Sequence, residues 1–112
     1  MVRDERRLRR QKDFRAAYAG GKKVFGRYVV VFYRKNDTDF NRYGVVASKK
    51  IGKAVVRNKW KRRARELIRE FNGRMRQGFD VVVLGRPGVK DASFAQITKD
   101  MDGIIKRAGL YL

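Results

Sequence analysis

Two groups of residues in this chain have types and spacings that could do chemistry, and both suit binding. The first is Arg57-Asn58-(x2)-Lys61-Arg62-(x2)-Arg65, preceded by Lys49, Lys50 and Lys53. Arginine forks grip phosphate through paired hydrogen bonds, while lysines act as mobile point charges. Asn58 adds no charge and has mediocre helix propensity. An amide there points either to a hydrogen bond with a base edge or sugar, or to a helix-local bond. The second group starts from Phe14 and Tyr18, an aromatic pair four apart that would share one helix face and is ordinarily core.

Groupings suited to catalysis are missing. The chain has no Cys and no His, so thiol nucleophiles, disulfides, zinc–thiolate sites and the commonest general base are absent. Ser48 has lysines beside it but neither a histidine base nor a recognisable oxyanion element. Asp37 and Asp39 fall in a polar loop, and Asp100 and Asp102 point to different sides of a helix. Neither pair has the partners that two-metal nuclease chemistry needs. Gly20, Gly21, Gly26 and Gly52 do not form a phosphate loop. No catalytic residue and no protein-only metal site is expected.

Charge explains what the chain needs instead. Thirty Lys and Arg against eleven Asp and Glu give +19 over 112 residues. A compact body with that much like charge repels itself and calls for a neutralising partner. Nucleic acid is the first choice and an anionic membrane surface the second. The longest apolar runs, Tyr28 to Tyr33 and Phe79 to Leu84, are strand-length, so neither a membrane span nor a signal peptide is expected. A cysteine-free composition is compatible with the cytosol. With 43% apolar residues, one Trp, five Tyr and seven Phe, the chain reads as one folded domain over residues 1–112, opened by a basic arm at 1–10. That arm is either a solvated terminus or part of the binding surface.

The elements that would position these residues follow from periodicity. Lys12 to Ala19 reads as a short helix ended by Gly20-Gly21. Lys22 to Phe25 reads as an edge strand and Tyr28 to Lys35 as a strong β-branched and aromatic strand. Asn36 to Asn41 reads as a hairpin loop, with Arg42 to Lys49 returning antiparallel to the strand before it. A turn at Gly52 opens a helix from Ala54 to Phe71, with Asn72-Gly73 as its cap. On that helix Val56, Trp60, Ala64, Leu67, Ile68 and Phe71 form an apolar stripe. Arg57, Asn58, Lys61, Arg62, Arg65 and Arg69 form an acid-free arc of about 140° beside it. Lys59, Arg63, Glu66 and Glu70 take the remaining sector, roughly opposite the core. Phe79 to Gly85 reads as a buried strand. Ser93 to Gln96 has capping-box spacing and opens a last helix that Gly109 ends. The order helix, strands, helix, strand, helix is that of a layered α+β domain.

The run Lys49-Lys50-Ile51-Gly52-Lys53-Ala54-Val55-(x)-Arg57-Asn58-(x2)-Lys61-Arg62-(x2)-Arg65-Glu66 closely resembles the bacterial ribonuclease P protein family. The resemblance extends to Arg10-(x2)-Asp13-Phe14-(x3)-Tyr18, to Tyr28–Arg34, to Gly44–Lys50 and to Phe79–Val83. It implies a two-layer α+β fold, αβββαβα, with a four-stranded sheet and a left-handed strand–helix–strand crossover, where general statistics favour the right hand. It also implies a cytoplasmic protein subunit of a ribozyme, with ribonuclease P RNA and precursor tRNA as partners and no membrane or small-molecule substrate. The RNA, with Mg²⁺, would remove the 5′ leader of precursor tRNA. Lys49, Lys50, Lys53, Arg57, Asn58, Lys61, Arg62 and Arg65 would face the catalytic RNA. Phe14, Tyr18 and Phe32 would line the leader cleft, where stacking on aromatics tolerates any base. Phe32 and Tyr18 stand where the family commonly has Tyr and Phe. The residues alone leave three rivals: a ribosomal or other structural RNA-binding protein, a DNA-binding helical protein, and a stand-alone nuclease.

Overall fold

A computed structural model describes residues 7–112. Its elements run α1 (Gln11–Gly20), β1 (Lys22–Phe25), β2 (Val29–Lys35), β3 (Arg42–Val46), α2 (Ala54–Phe71), β4 (Phe79–Gly85) and α3 (Phe94–Ala108), with 3₁₀ turns at Lys49–Ile51, Asn72–Arg74 and Pro87–Asp91. The sheet order is β1-β2-β4-β3. β1 and β4 each pair antiparallel with β2, and β3 lies parallel to β4.

This order corrects the hairpin reading of residues 36–41. β3 does run opposite to β2, but β4 is inserted between them (Phe32 faces Val82, and Gly44 faces Val82 from the other side). Asn36–Asn41 is therefore a connection across one strand, fastened by its own side chains. Thr38 N–H donates to Asn36 Oδ1 at 2.9 Å, and Asn36 Nδ2 donates to Phe40 O at 3.1 Å. β4 takes the central place because it is apolar on both sides, with Val81, Val82 and Val83 all at 0% exposure.

Both sheet faces are covered, which also corrects the expected two layers. Val29, Val31, Tyr33, Tyr43, Val81 and Val83 pack with α2 and α3 in the main core. The alternate residues Phe32, Val82 and Val46 pack with Leu8, Phe14 and Ala17 on the other face. α1 thus lies across the sheet from the other two helices.

The crossover from β3 through α2 to β4 is left-handed, and the backbone shows why. Arg86 N–H donates to Tyr28 O and Asn36 N–H to Gly78 O, both at 2.9 Å. Even-numbered residues of β4 therefore direct their peptide groups toward β2 while their side chains face α1. For L-residues this sets β3 on the left of β4 when viewed from α1, with α2 behind the sheet.

Two ends differ from the sequence reading. Strand β3 stops at Val46, so Lys49 and Lys50 sit on a 3₁₀ turn rather than at a strand end. Asn72 holds the cap position of α2 but is right-handed (φ −54°) and leads into another 3₁₀ turn. The capping box of α3 forms as expected, with Ser93 and Gln96 bonding reciprocally and Gly109 left-handed at φ 71°. Of the basic arm, residues 1–6 lie outside the described residues. At residues 7–10 the arm is docked: Leu8 is buried and its N–H donates to Tyr43 O at 2.8 Å.

Candidate nucleic-acid interface

The basic arc depends on how α2 is held. Its stripe buries Trp60, Ala64, Leu67, Ile68 and Phe71, leaving Val56 half-buried. Trp60 fixes the helix against the sheet. Its indole N–H donates to Val46 O at 2.9 Å, and its ring lies where a Cβ on Gly85 would meet it at 2.8 Å. With the stripe pinned, Asn58, Arg62, Arg65 and Arg69 face solvent and Lys61 is half-buried. Lys49, Lys50 and Lys53 are exposed just before the helix.

Among the described residues, none of these basic side chains takes part in an ion pair. Arg57 is the one tied back, donating from Nη1 to Gly52 O at 2.9 Å, which braces the turn that carries Lys53. The Asn58 amide is exposed, and no helix-local bond engages it among the described residues. The first turn of α2 contains no acid, so the positive end of the helix dipole adds to the cationic field. The mixed-charge sector is exposed at Lys59, Glu66 and Glu70, and its Arg63 edge is half-buried. Lys59 and Arg63 border a cleft with Val89, Lys90 and Ile97, and Arg63 donates to Ala92 O at 3.1 Å. The basic arc and the rest of that sector share the solvent side of the helix.

The second site lies on the other face of the sheet. Tyr18 descends from α1 toward Phe32 on β2, their rings meeting edge to face with centroids 4.8 Å apart, while Phe14 lies over Gly44 of β3. Tyr18 is 41% exposed, while Phe14 and Phe32 are half-buried. Desolvation raises the Tyr18 pKa above its ordinary value, so its hydroxyl is a neutral donor at physiological pH. Phe14 and Phe32 pack at the rim of the small core, and Tyr18 stands beside them half open to solvent. The seat of Phe14 on the sheet is made possible by Gly44, where a Cβ would stand 2.5 Å from the Phe14 ring. Gly44 and Lys23, whose Nζ lies 5.9 Å from the Phe32 ring centre, were not singled out by sequence reasoning. Strand alternation would have found Lys23, which faces Phe32 in the register.

Below the cleft a charged network ties α1 to the sheet. Asp80 is fully buried and receives Arg42 bidentately, at 2.8 Å from Nε and 2.7 Å from Nη2. Asn36 donates to the same carboxylate at 3.1 Å, and Arg34 lies 3.6 Å away. Arg42 also reaches Asp13 on α1 at 4.0 Å, and its bond to Asp80 raises its pKa. Asp100 is equally committed, accepting the N–H groups of Arg27, Tyr28 and Val29 at 2.8–3.1 Å. Among the described residues, no three His, Cys, Asp or Glu side chains gather as a metal cage.

This fold recurs in known proteins. The family model for ribonuclease P matches residues 2–109. This chain belongs to the ribonuclease P protein family. The ribonuclease P protein component of Syntrophomonas wolfei is 37% identical over 111 residues, covering 99% of this chain and 93% of that protein. That of Caldanaerobacter subterraneus is 38% identical over 105 residues, covering 94% and 90%. Among solved structures, the Staphylococcus aureus ribonuclease P protein superimposes with a TM-score of 0.87 at 32% identity, covering 96% of this chain and 98% of that one. The Thermotoga maritima protein gives 0.82 at 37% identity, covering 90% and 96%. The chain is thus a ribonuclease P protein component, a subunit of a tRNA-processing endoribonuclease. No helix of the described residues is long and apolar enough to cross a membrane.

Proposed function

We propose that this subunit docks on the ribonuclease P RNA through the arc of Lys49, Lys50, Lys53, Arg57, Asn58, Lys61, Arg62 and Arg65, and holds the 5′ leader of precursor tRNA against Phe14, Tyr18 and Phe32. The observation that carries the reading is the placement of two RNA-suited surfaces on opposite faces of one sheet. A solvent-facing cationic arc suits a structured phosphate backbone. Aromatic rings beside a lysine suit an unpaired strand of variable sequence. One small domain can therefore bridge two RNAs at once.

In this reading the RNA subunit performs the cleavage, with Mg²⁺ supplying a charge-stabilised attacking water. Asp80 and Asp100 serve the fold, engaged by arginine, asparagine and backbone donors. The chain's own contribution is to neutralise phosphates and to align the substrate. A cytoplasmic location goes with this role.

Comparing binding of precursor and mature tRNA to the reconstituted holoenzyme tests the assignment. Phe14→Ala should lose about five- to 150-fold in precursor affinity, the range of one base–aromatic stack, with mature tRNA unaffected. Arg57→Ala or Arg65→Ala should instead weaken assembly with the catalytic RNA and flatten its salt dependence. Equal losses of both tRNAs in Phe14→Ala would count against the cleft.

A further inference from the structure

Beyond the three cleft aromatics, the same sheet face carries a fourth ring. Phe25, the last residue of β1, is 55% exposed. A single exposed apolar residue is ordinary, and lysines on an edge strand commonly serve to block edge pairing. Three features here go further. By register Phe25 pairs with Val30 and Lys23 with Phe32, so Phe25 and Phe32 are diagonal neighbours on the α1 side of the sheet. Such neighbours stand about 7–8 Å apart, comparable with one extended nucleotide step.

Cations bracket the ring as well. Lys23 Nζ lies 5.3 Å from the Phe25 ring centre and 5.9 Å from that of Phe32, and so sits between the two. The Arg86 guanidinium lies 5.8 Å from the Phe25 ring. Finally, the backbone under the ring is fixed. Arg107 donates to Phe25 O at 2.9 Å, Arg86 to Gly26 O at 2.8 Å, and Gly26 N–H to Val29 O at 2.7 Å. The nearby Asp100 carboxylate accepts the N–H groups of Arg27, Tyr28 and Val29, so its single negative charge is directed at the backbone of this turn, against the cations Lys23, Arg86 and Arg107.

We propose that Phe25 is a further stacking position of the leader cleft, with Lys23 and Arg86 holding the phosphates on either side of the base it carries. The row Tyr18, Phe32, Lys23, Phe25, Arg86 then forms one track across β2 and β1. Exposed aromatics alternating with cations match single-stranded RNA, whose bases and phosphates alternate in the same way. Arg86 has two tasks, bracing the turn and meeting the strand.

The proposal rests on the leader-cleft reading, and its test separates the two. Precursor tRNAs carrying 2-aminopurine at successive leader positions would be bound to holoenzyme, with fluorescence and affinity recorded for wild type, Phe25→Ala, Phe25→Trp and Phe14→Ala. Phe25→Ala should release the quenching at one leader position and lower precursor affinity about fivefold, the low end for a half-exposed stack. Phe25→Trp should restore both, and Phe14→Ala should act at a different position. If Phe14→Ala loses the precursor and Phe25→Ala matches wild type throughout, this proposal fails alone. If Phe25→Ala weakens mature tRNA equally, the ring serves another surface and the proposal also fails. If neither variant distinguishes precursor from mature tRNA, the cleft reading falls with it.

Discussion

At the scale of single residues, the proposed leader cleft depends on what is left out as much as on what is present. Phe14 can lie on the sheet only because Gly44 has no side chain, since a Cβ there would stand 2.5 Å from the ring. Gly44→Ala should displace the ring and cost about 1–3 kcal/mol, the usual penalty for overpacking, while lowering precursor affinity with mature tRNA unchanged. Thermal unfolding and the binding comparison would show both. The chain's end carries a separate ionic reporter. Tyr111 donates to Asp102, which Lys106 also contacts at 3.0 Å. These bonds hold Asp102 below its ordinary value of 3.8, while desolvation and then the same bond push Tyr111 up to about 12. A depressed carboxylate stabilises the fold above its ordinary value and loses that contribution as pH falls through its folded value. A raised tyrosine stabilises it below pH 10 and loses that contribution as pH passes about 12. Tyr111→Phe should remove the last tyrosinate transition in an ultraviolet titration and make stability less sensitive to acid. An unchanged titration would place the shifted tyrosine elsewhere. The signature residues were legible in sequence because arginines at helical spacing share a face. Gly44 was not, since a glycine in a strand has no pattern of its own until the helix above it is placed.

At the scale of elements, α1 and α2 are held by different means. Trp60 seats α2 through one indole hydrogen bond and a close approach to Gly85. α1 rests on a thin apolar cluster and on the chain of charges from Asp13 through Arg42 to Asp80. Asp80→Asn would leave Arg42 and Arg34 facing each other without their buried counter-charge. Its cost should be about 3 kcal/mol, the low end for a broken buried pair because Arg42 remains 27% exposed and can recover water. Chemical denaturation would measure it, and a loss under about 0.5 kcal/mol would mean that the network does not hold the sheet and α1 together. Helix ends and strand spans came through well from periodicity, α2 at both of its ends, because caps, glycines and apolar stripes are local signals. Strand order did not. Residues 29–46 alternate in the same way whether the two strands pair directly or admit a third between them. The only hint was the unbroken apolar run of β4, whose burial on both faces marks a central strand. The layer count was missed for a related reason: Phe14, Ala17 and Tyr18 identify a buried helix face without saying which side of the sheet receives it.

At the scale of the molecule, +19 on one domain is a cost that the free protein bears and the complex relieves. The sheet divides that charge between two jobs. In the proposed reading the α2 arc would release counterions from a large structured RNA, and the opposite face would offer rings to a flexible strand. With six to ten phosphates neutralised, affinity for the catalytic RNA should fall by roughly three to five decades between about 50 and 200 mM salt on the DNA scale. In the proposed reading both surfaces bind RNA, and cleavage is left to the RNA subunit. The central claim is therefore a division of labour, and it is tested most directly by 5′ cleavage of precursor tRNA at low Mg²⁺, with ribonuclease P RNA alone, protein alone and both together. Cleavage by the RNA should be strongly stimulated by the protein, and the protein alone should give none. Failure to stimulate, or cleavage by the protein alone, would contradict the account.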